Sequence, residues 1–98
     1  MIVRIVKMRF RRGEREAFLE IFNASKHRIR QFAGCQYLSL YNEVGLPEVF
    51  FTHSIWISAA HLDAYRKSEL FQATWTKTRT LFADEARAWS LEEVETVP

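Results

Sequence analysis

Apolar and polar residues alternate in the first segment of the chain and again in three later segments, which predicts four short β-strands. From Ile2 to Phe10 the even positions hold Ile, Arg, Val, Met and Phe, and the odd positions also include Val and Ile. A period of two is typical of a strand. Similar patterns cover Gln36 to Tyr41, Val49 to Trp56 and Ala86 to Val94.

Helical spacing replaces this alternation between the predicted strands. Between Glu14 and Phe32 the apolar residues recur at three- and four-residue intervals, and Gly34 follows as a stop signal. A second helical region begins after Ser58, which is suited to cap a helix, and extends to about residue 82. We expect a break in it near Lys67, where Ser68 is a second candidate cap. The predicted order is therefore βαββαβ.

This order predicts an α+β, ferredoxin-like fold, in which a four-stranded antiparallel sheet carries its helices on one face. The 98 residues are expected to form a single domain over residues 1–98, with a core from about 2 to 94 and an acidic tail. Both faces of the first and third strands carry bulky apolar residues, which water does not solvate at low cost. Because a chain this short also buries a limited share of its surface, we expect a homodimer with two sheets packed face to face.

Charge and composition change this picture little. Nine of the fourteen Lys and Arg residues lie in the first thirty positions, but Glu14, Glu16 and Glu20 interleave with them, which indicates a solvated face and no nucleic-acid partner. No apolar segment has the length of a membrane span or the form of a signal peptide, so we expect no membrane partner and a cytoplasmic location. The single Cys35 has no partner for an intrachain disulfide.

Three segments together resemble one family. The segments are Phe32-Ala33-Gly34-Cys35-Gln36-Tyr37-Leu38, Trp56-Ile57-Ser58 and Tyr65-Arg66-Lys67-Ser68-Glu69-Leu70-Phe71. In the antibiotic biosynthesis monooxygenase (ABM) family a Gly-Cys pair opens strand 2, a Trp-x-Ser ends strand 3, and a helix reaches a Ser-x-x-Phe-like break. The resemblance spans about residues 2 to 94. It implies a dimeric α+β barrel, with a pocket in each subunit between the sheet and its helices.

The same resemblance implies an activity. Many members of the family catalyse cofactor-independent oxygenation of phenolic or quinol-type substrates with dioxygen, and some bind and degrade haem. The haem-degrading members resemble one another in an Asn on strand 1, and in a Trp and a haem-ligating His on the helix after strand 3. The matching positions here are Val6, Tyr65 and Trp75, and none of the three holds the residue that the haem-degrading members share. Since Trp offers no lone pair to iron, neither haem degradation nor any cofactor is expected.

The three histidines do not form a metal-binding pattern. His27 lies among basic residues on the predicted outer face of the first helix, and His61 lies in the first turn after Ser58. His53 lies in the middle of the third strand on the same face as Phe51 and Ile55. It is either a hydrogen-bonded core or interface histidine or a residue that transfers protons. No metal site is predicted, because no His, Cys or Asp spacing supports one.

Amphipathic aromatic residues are the remaining candidate chemistry, because their rings suit a flat apolar substrate while their polar atoms orient its oxygens. For an oxygenase we predict that Tyr65 and Trp56 donate hydrogen bonds and that His53 is the base. The predicted substrate-binding residues are Arg4, Val6, Met8, Phe10, Tyr37, Phe71 and Trp75. The alternative is a dimeric module of the same family that binds a small molecule without catalysis. Whether His53 faces the pocket or the dimer interface is open at this stage, since strand parity between separate elements is not fixed by sequence.

Overall fold

The computed structural model describes residues 1–98 and confirms the predicted order of elements. They are β1 (Ile2–Arg9), α1 (Arg15–Arg30), β2 (Cys35–Asn42), β3 (Val49–Trp56), α2 (Ala59–Arg66), α3 (Glu69–Arg79) and β4 (Arg87–Leu91). The second helical region is divided where the sequence predicts a break, but it ends at Arg79, earlier than expected. β4 is also shorter than the predicted segment. None of the helices is both long enough and apolar enough to cross a membrane.

The four strands form one antiparallel sheet in the order β2-β3-β1-β4. In the central pair, Arg4 lies opposite Ser54 and Met8 lies opposite Phe50. Even-numbered residues of β1, β3 and β4 therefore share one face of the sheet, and odd-numbered residues share the other. The helices pack on the even-numbered face, where Met8 and Phe50 are buried against Phe18 of α1. This is the predicted α+β, ferredoxin-like fold.

A polar residue begins each half of the divided second helix. The hydroxyl oxygen of Ser58 accepts a hydrogen bond from the backbone N–H of His61, and that of Ser68 accepts one from the N–H of Phe71. Ser68 also donates its hydroxyl hydrogen to the carbonyl oxygen of Tyr65 at 2.6 Å. Ser68 thus ends α2 and starts α3, because its side chain bonds to backbone groups on both sides of the break.

The start of β2 is fixed by a tight approach and an irregularity. Gly34 has a φ of +91°, and its carbonyl oxygen accepts a hydrogen bond from the N–H of Ile57 at 2.9 Å. The pairing of β2 with β3 shifts between Cys35 and Tyr37. Because of this bulge, Cys35 is buried with Trp56 beneath the helices, whereas Tyr37 turns to the other face.

The second face of the sheet carries no helix, and we refer to it as the open face. It is formed by Val3, Ile5 and Lys7 of β1, Tyr37, Ser39 and Tyr41 of β2, Phe51, His53 and Ile55 of β3, and Arg87, Trp89 and Leu91 of β4. Trp89 and Tyr37 are each 38% exposed, and Tyr41 and Leu91 are each 49% exposed. The single chain therefore presents large apolar side chains to solvent on this face.

Candidate functional site

A cavity of about 310 Å³ lies between the even-numbered face of the sheet and the helices. Most of its lining is apolar, as is usual for a site that binds a small organic molecule. Apolar side chains come from every helix and strand of the fold and from the segment before β4: Val6, Met8, Phe18, Phe22, Ile29, Leu38, Trp56, Leu62, Phe71, Trp75, Ala86 and Ala88.

Aromatic rings form a continuous wall on the side of α2 and α3. The Tyr65 ring stacks on Trp56 with centroids 4.8 Å apart and planes inclined by 24°, and it meets Phe71 edge to face at 5.2 Å. Phe71 in turn stacks on Trp75 at 5.6 Å. The helix break at Ser68 produces this wall, because it brings the end of α2 and the first turn of α3 together over the cavity.

The charged groups of the cavity lie around Arg4. This residue lies between Ser54 of β3 and Ser90 of β4 in the sheet register, and its Nη1 donates a hydrogen bond to Ser90 Oγ at 2.9 Å. Arg66, the last residue of α2, also lines the cavity. Burial and the nearby charge of Arg66 lower the pKa of the Arg4 guanidinium. Two positive charges are therefore close together in this part of the cavity, which we call the arginine end.

Trp56 does not have the free donor that the sequence suggested. Its indole Nε1 donates a hydrogen bond to Ser54 Oγ at 3.0 Å, and the residue is only 1% exposed. The prediction that Trp56 donates to substrate is therefore corrected, since an indole has a single N–H. Trp56 contributes its ring to the wall and holds the Ser54 hydroxyl, whose own hydrogen remains available to a ligand.

Tyr65 lies in the aromatic wall, and its protonated phenol is suited to donate a hydrogen bond. Burial, with a smaller contribution from the Cys35 thiol, raises the pKa of its phenol well above the ordinary value of 10.0. The phenol consequently stays protonated at neutral pH, and it can donate a hydrogen bond but does not serve as a base.

His53 and Tyr37 lie outside the cavity, on the open face. His53 is opposite Ile5 and Ser39 in the register, and its ring centroid is 4.9 Å from that of Tyr37. The sheet separates both residues from the cavity, so the prediction that they act on a ligand there is corrected. The reason is strand parity: β3 directs its even-numbered residues to the helices, and the β-bulge turns Tyr37 away with His53.

Phe10 requires a third correction. It is 2% exposed and packs against Phe18 and Phe50 in the core, and it does not line the cavity. The other predicted ligand-binding residues do line it: Arg4, Val6, Met8, Phe71 and Trp75, together with Tyr65 and Trp56.

Several polar lining residues were not predicted from the sequence: Arg66, Thr52, Ser54, Thr74 and Thr78. Ser54 has a recognisable signal, because it lies two residues before Trp56 and so shares its strand face. Arg66 lies within the third segment that resembles the family, but the residue spacing does not show in which direction a side chain at the end of a helix points.

The lining contains no Asp, Glu, His, Lys or Cys. Its charged side chains are the two arginines alone. No group of three or more His, Cys, Asp or Glu residues in the chain is placed to share a metal ion. A ligand in this cavity therefore meets aromatic rings, hydroxyl groups and positive charge.

Comparisons with known proteins agree with this architecture. The sequence model of the family described as antibiotic biosynthesis monooxygenase matches residues 1–77. No curated protein matches the chain.

Solved structures are similar over nearly the whole chain. A crystal structure of an antibiotic biosynthesis monooxygenase has a TM-score of 0.91 at 17% identity, covering 97% of this chain and 100% of that one. Rv0793 from Mycobacterium tuberculosis has a TM-score of 0.89 at 18% identity, with coverages of 99% and 98%. SnoaB from Streptomyces nogalater, a cofactor-independent oxygenase, has a TM-score of 0.87 at 13% identity, with coverages of 99% and 96%. At these identities the likeness shows the fold.

Proposed function

The chain belongs to the antibiotic biosynthesis monooxygenase family, and on this premise we propose that it is a cofactor-independent monooxygenase that acts on a small aromatic substrate of the phenol or quinol type. The observation that carries the proposal is the cavity itself, in which an aromatic wall faces a pair of arginines. An electron-rich aromatic ring fits the wall, and the arginine end stabilises the anion of its hydroxyl group. The cofactor-independent oxygenase SnoaB has the same fold.

The first step of the proposed reaction is loss of a proton from the substrate hydroxyl. Because no lining side chain is a base at neutral pH, the proton passes to water, and the site acts by lowering the pKa of the bound phenol. Arg4 and Arg66 favour the phenolate electrostatically. Tyr65, which stays protonated, donates a hydrogen bond to a substrate oxygen.

The second step is the reaction of the anion with dioxygen. The phenolate passes one electron to dioxygen, and the resulting pair combines to form a carbon–oxygen bond at a ring carbon that bears two hydrogens in the keto tautomer. The peroxide anion takes up a proton from water, and the resulting hydroperoxide then loses water and leaves a carbonyl group. One oxygen atom enters the product and the other becomes water, and the substrate supplies all of the electrons. An apolar cavity protects the intermediates from bulk water.

Oxygen uptake tests this proposal. We expect the purified protein to consume one dioxygen per carbonyl formed from anthrone or a naphthalene-type quinol. With ¹⁸O₂, one label enters the product and one enters water. The rate should survive exhaustive treatment with a metal chelator. Arg4→Gln should lower kcat at least tenfold, since one charge-assisted interaction with the anion contributes about 1.5 to 3 kcal/mol.

Arg12→Gln is the matched control, because it removes the same charge from an exposed turn outside the cavity. It should leave the rate unchanged. Absence of oxygen uptake above the uncatalysed rate with both anthrone and the naphthalene-type quinol would refute the oxygenase.

One observation also fits a second candidate, a module that binds an aromatic anion without catalysis. The absence of a base from the lining is as compatible with binding alone as with a reaction that begins from the phenolate. Ligand-induced thermal stabilisation without oxygen uptake would support this alternative. We do not propose haem degradation, because no histidine lines the cavity and Trp75 offers no lone pair to iron.

We also propose that the protein is a homodimer that pairs through the open face. The apolar side chains of this face are partly exposed in the single chain, and an exposed apolar sheet face of this kind typically marks an interface. His53 then lies in the interface and has no direct part in the chemistry of the cavity.

A further inference from the structure

We propose that the arginine end of the cavity binds a carboxylate group of the substrate beside its reacting hydroxyl oxygen, so that the ligand is a hydroxylated aromatic acid and not a neutral phenol. The inference rests on the proposed function, since it names the class of substrate for the same cavity. Three observations support it: charge, position and the number of available donors.

The first observation is that the two positive charges have no acidic partner. The ion pairs of the chain are Arg9 with Asp84 and Arg15 with Glu16, and neither involves Arg4 or Arg66. The cavity lining supplies no carboxylate either. Two guanidinium groups close enough to affect each other repel, and an anion placed between them relieves that repulsion while it forms charge-assisted hydrogen bonds.

The second observation is that the cavity extends from the arginine end to a second end, around Met8, that is apolar. Arg4 and Met8 both line it, and they are four residues apart on β1, or roughly 13 Å at the rise of a strand. Near Met8 the neighbours are Phe18 and Phe22. A ligand of two or three fused rings with its charged group at one edge matches this division.

The third observation concerns the donors. Each guanidinium has five N–H donors, and Arg4 uses one on Ser90. The Ser54 hydroxyl adds a further donor, since its oxygen already accepts from Trp56. One phenolate oxygen accepts only a few of these bonds, whereas a carboxylate offers two oxygens and about four acceptor positions. A carboxylate conjugated to the ring is also planar, so that it extends the aromatic system along the wall.

Calorimetric titration under anaerobic conditions tests the inference apart from turnover. The probes are 1-hydroxy-2-naphthoate and its uncharged isostere 1-hydroxy-2-naphthamide. We expect the wild-type protein to bind the acid at least tenfold more tightly than the amide. Arg4→Gln and Arg66→Gln should each reduce this preference, and the double variant should bind both probes within a factor of two. Arg4→Lys retains the charge and should retain part of the preference.

Arg12→Gln should keep the full preference, which separates local recognition from net charge. Equal affinity of the wild type for acid and amide would overturn the inference while leaving the oxygenase proposal intact. Tighter binding of 1-naphthyl phosphate than of the acid would overturn the assignment of a carboxylate. Binding of neither probe would overturn the inference, while oxygen uptake with uncharged phenols such as anthrone would decide the oxygenase separately. Selective binding of the acid without oxygen uptake by any phenol would support the inference and refute the oxygenase.

Discussion

Tyr65 combines more functions than any other side chain of the cavity. Its ring stacks on Trp56 and meets Phe71, so it connects α2 to β3 and to α3. Burial also raises the pKa of its hydroxyl group above the ordinary value. The packing that gives the wall its shape therefore also keeps the phenol protonated, and removal of the hydroxyl tests the donor without removing the ring.

We expect the stability of the protein to depend on the ionisation of Tyr65 above pH 10. In the unfolded chain the phenol ionises near its ordinary value of 10.0, whereas in the folded protein its pKa is higher. Above pH 10 the unfolded state therefore loses a proton that the folded state keeps, and the stabilisation decreases as pH rises. The maximum slope for one such group is about 1.4 kcal/mol per pH unit.

Urea unfolding of the wild type and of Tyr65→Phe between pH 7 and pH 11.5 measures this effect. The difference in the free energy of unfolding should be constant below about pH 9 and should then change in favour of the Phe variant. Parallel curves up to pH 11.5 would contradict the raised pKa.

At the scale of the element, the junction between α1 and β2 depends on the approach of Gly34 to α2. A Cβ atom built on Gly34 would overlap the Cβ, Cγ and Cδ2 atoms of His61. The His61 ring is itself held by Ser58, whose Oγ lies 2.7 Å from His61 Nδ1. Since His61 cannot move without disturbing the helix cap, the absence of a side chain at Gly34 lets α2 lie close to the end of β3.

A comparison of Gly34 with Gly13 separates the free-energy cost of steric overlap from the cost of placing a side chain at a positive φ. Gly34 and Gly13 have φ values of +91° and +88°, and a Cβ on Gly13 meets nothing within 4 Å. Gly13→Ala should therefore destabilise the protein by about 1 kcal/mol, which is the conformational cost alone. Gly34→Ala should cost roughly 2 kcal/mol more because of the overlap. Thermal unfolding of the two variants provides the comparison, and equal losses would show that His61 yields freely.

The elements differ in how far the sequence predicts them. The alternation of β1 places Arg4, Val6 and Met8 together on the cavity face, as expected. The break at Ser68 was also predictable, because Ser at a cap has a local chemical cause. In contrast, the parity of β3 was not predictable, since Phe51, His53 and Ile55 are as suitable for burial as Phe50, Thr52 and Ser54. The bulge after Cys35 has no local signal, and it reverses the side on which Tyr37 lies.

At the scale of the whole molecule, the sheet separates two surfaces with different roles. The helix side contains both core clusters and the cavity. On the open face, Tyr37 packs against His53, Lys7 lies 5.9 Å above the Phe51 ring and Arg87 lies 5.3 Å above the Trp89 ring. Lys7 and Arg87 are neighbours at one end of the open face. They leave an apolar centre around Ile5, which lies between His53 and Trp89 in the sheet.

This arrangement predicts that a charge at the centre of the open face prevents dimerisation without unfolding the chain. Light scattering of the wild type at micromolar concentration should give twice the chain mass of 11.6 kDa. Ile5→Glu should give a monomer with an unchanged far-ultraviolet circular dichroism spectrum, because the carboxylate is solvated in the single chain and desolvated in a dimer. Val44→Glu, at a position that is 98% exposed in the turn between β2 and β3, is the control and should remain dimeric. A monomeric wild type, or a dimeric Ile5→Glu variant, would show that the open face is not the interface.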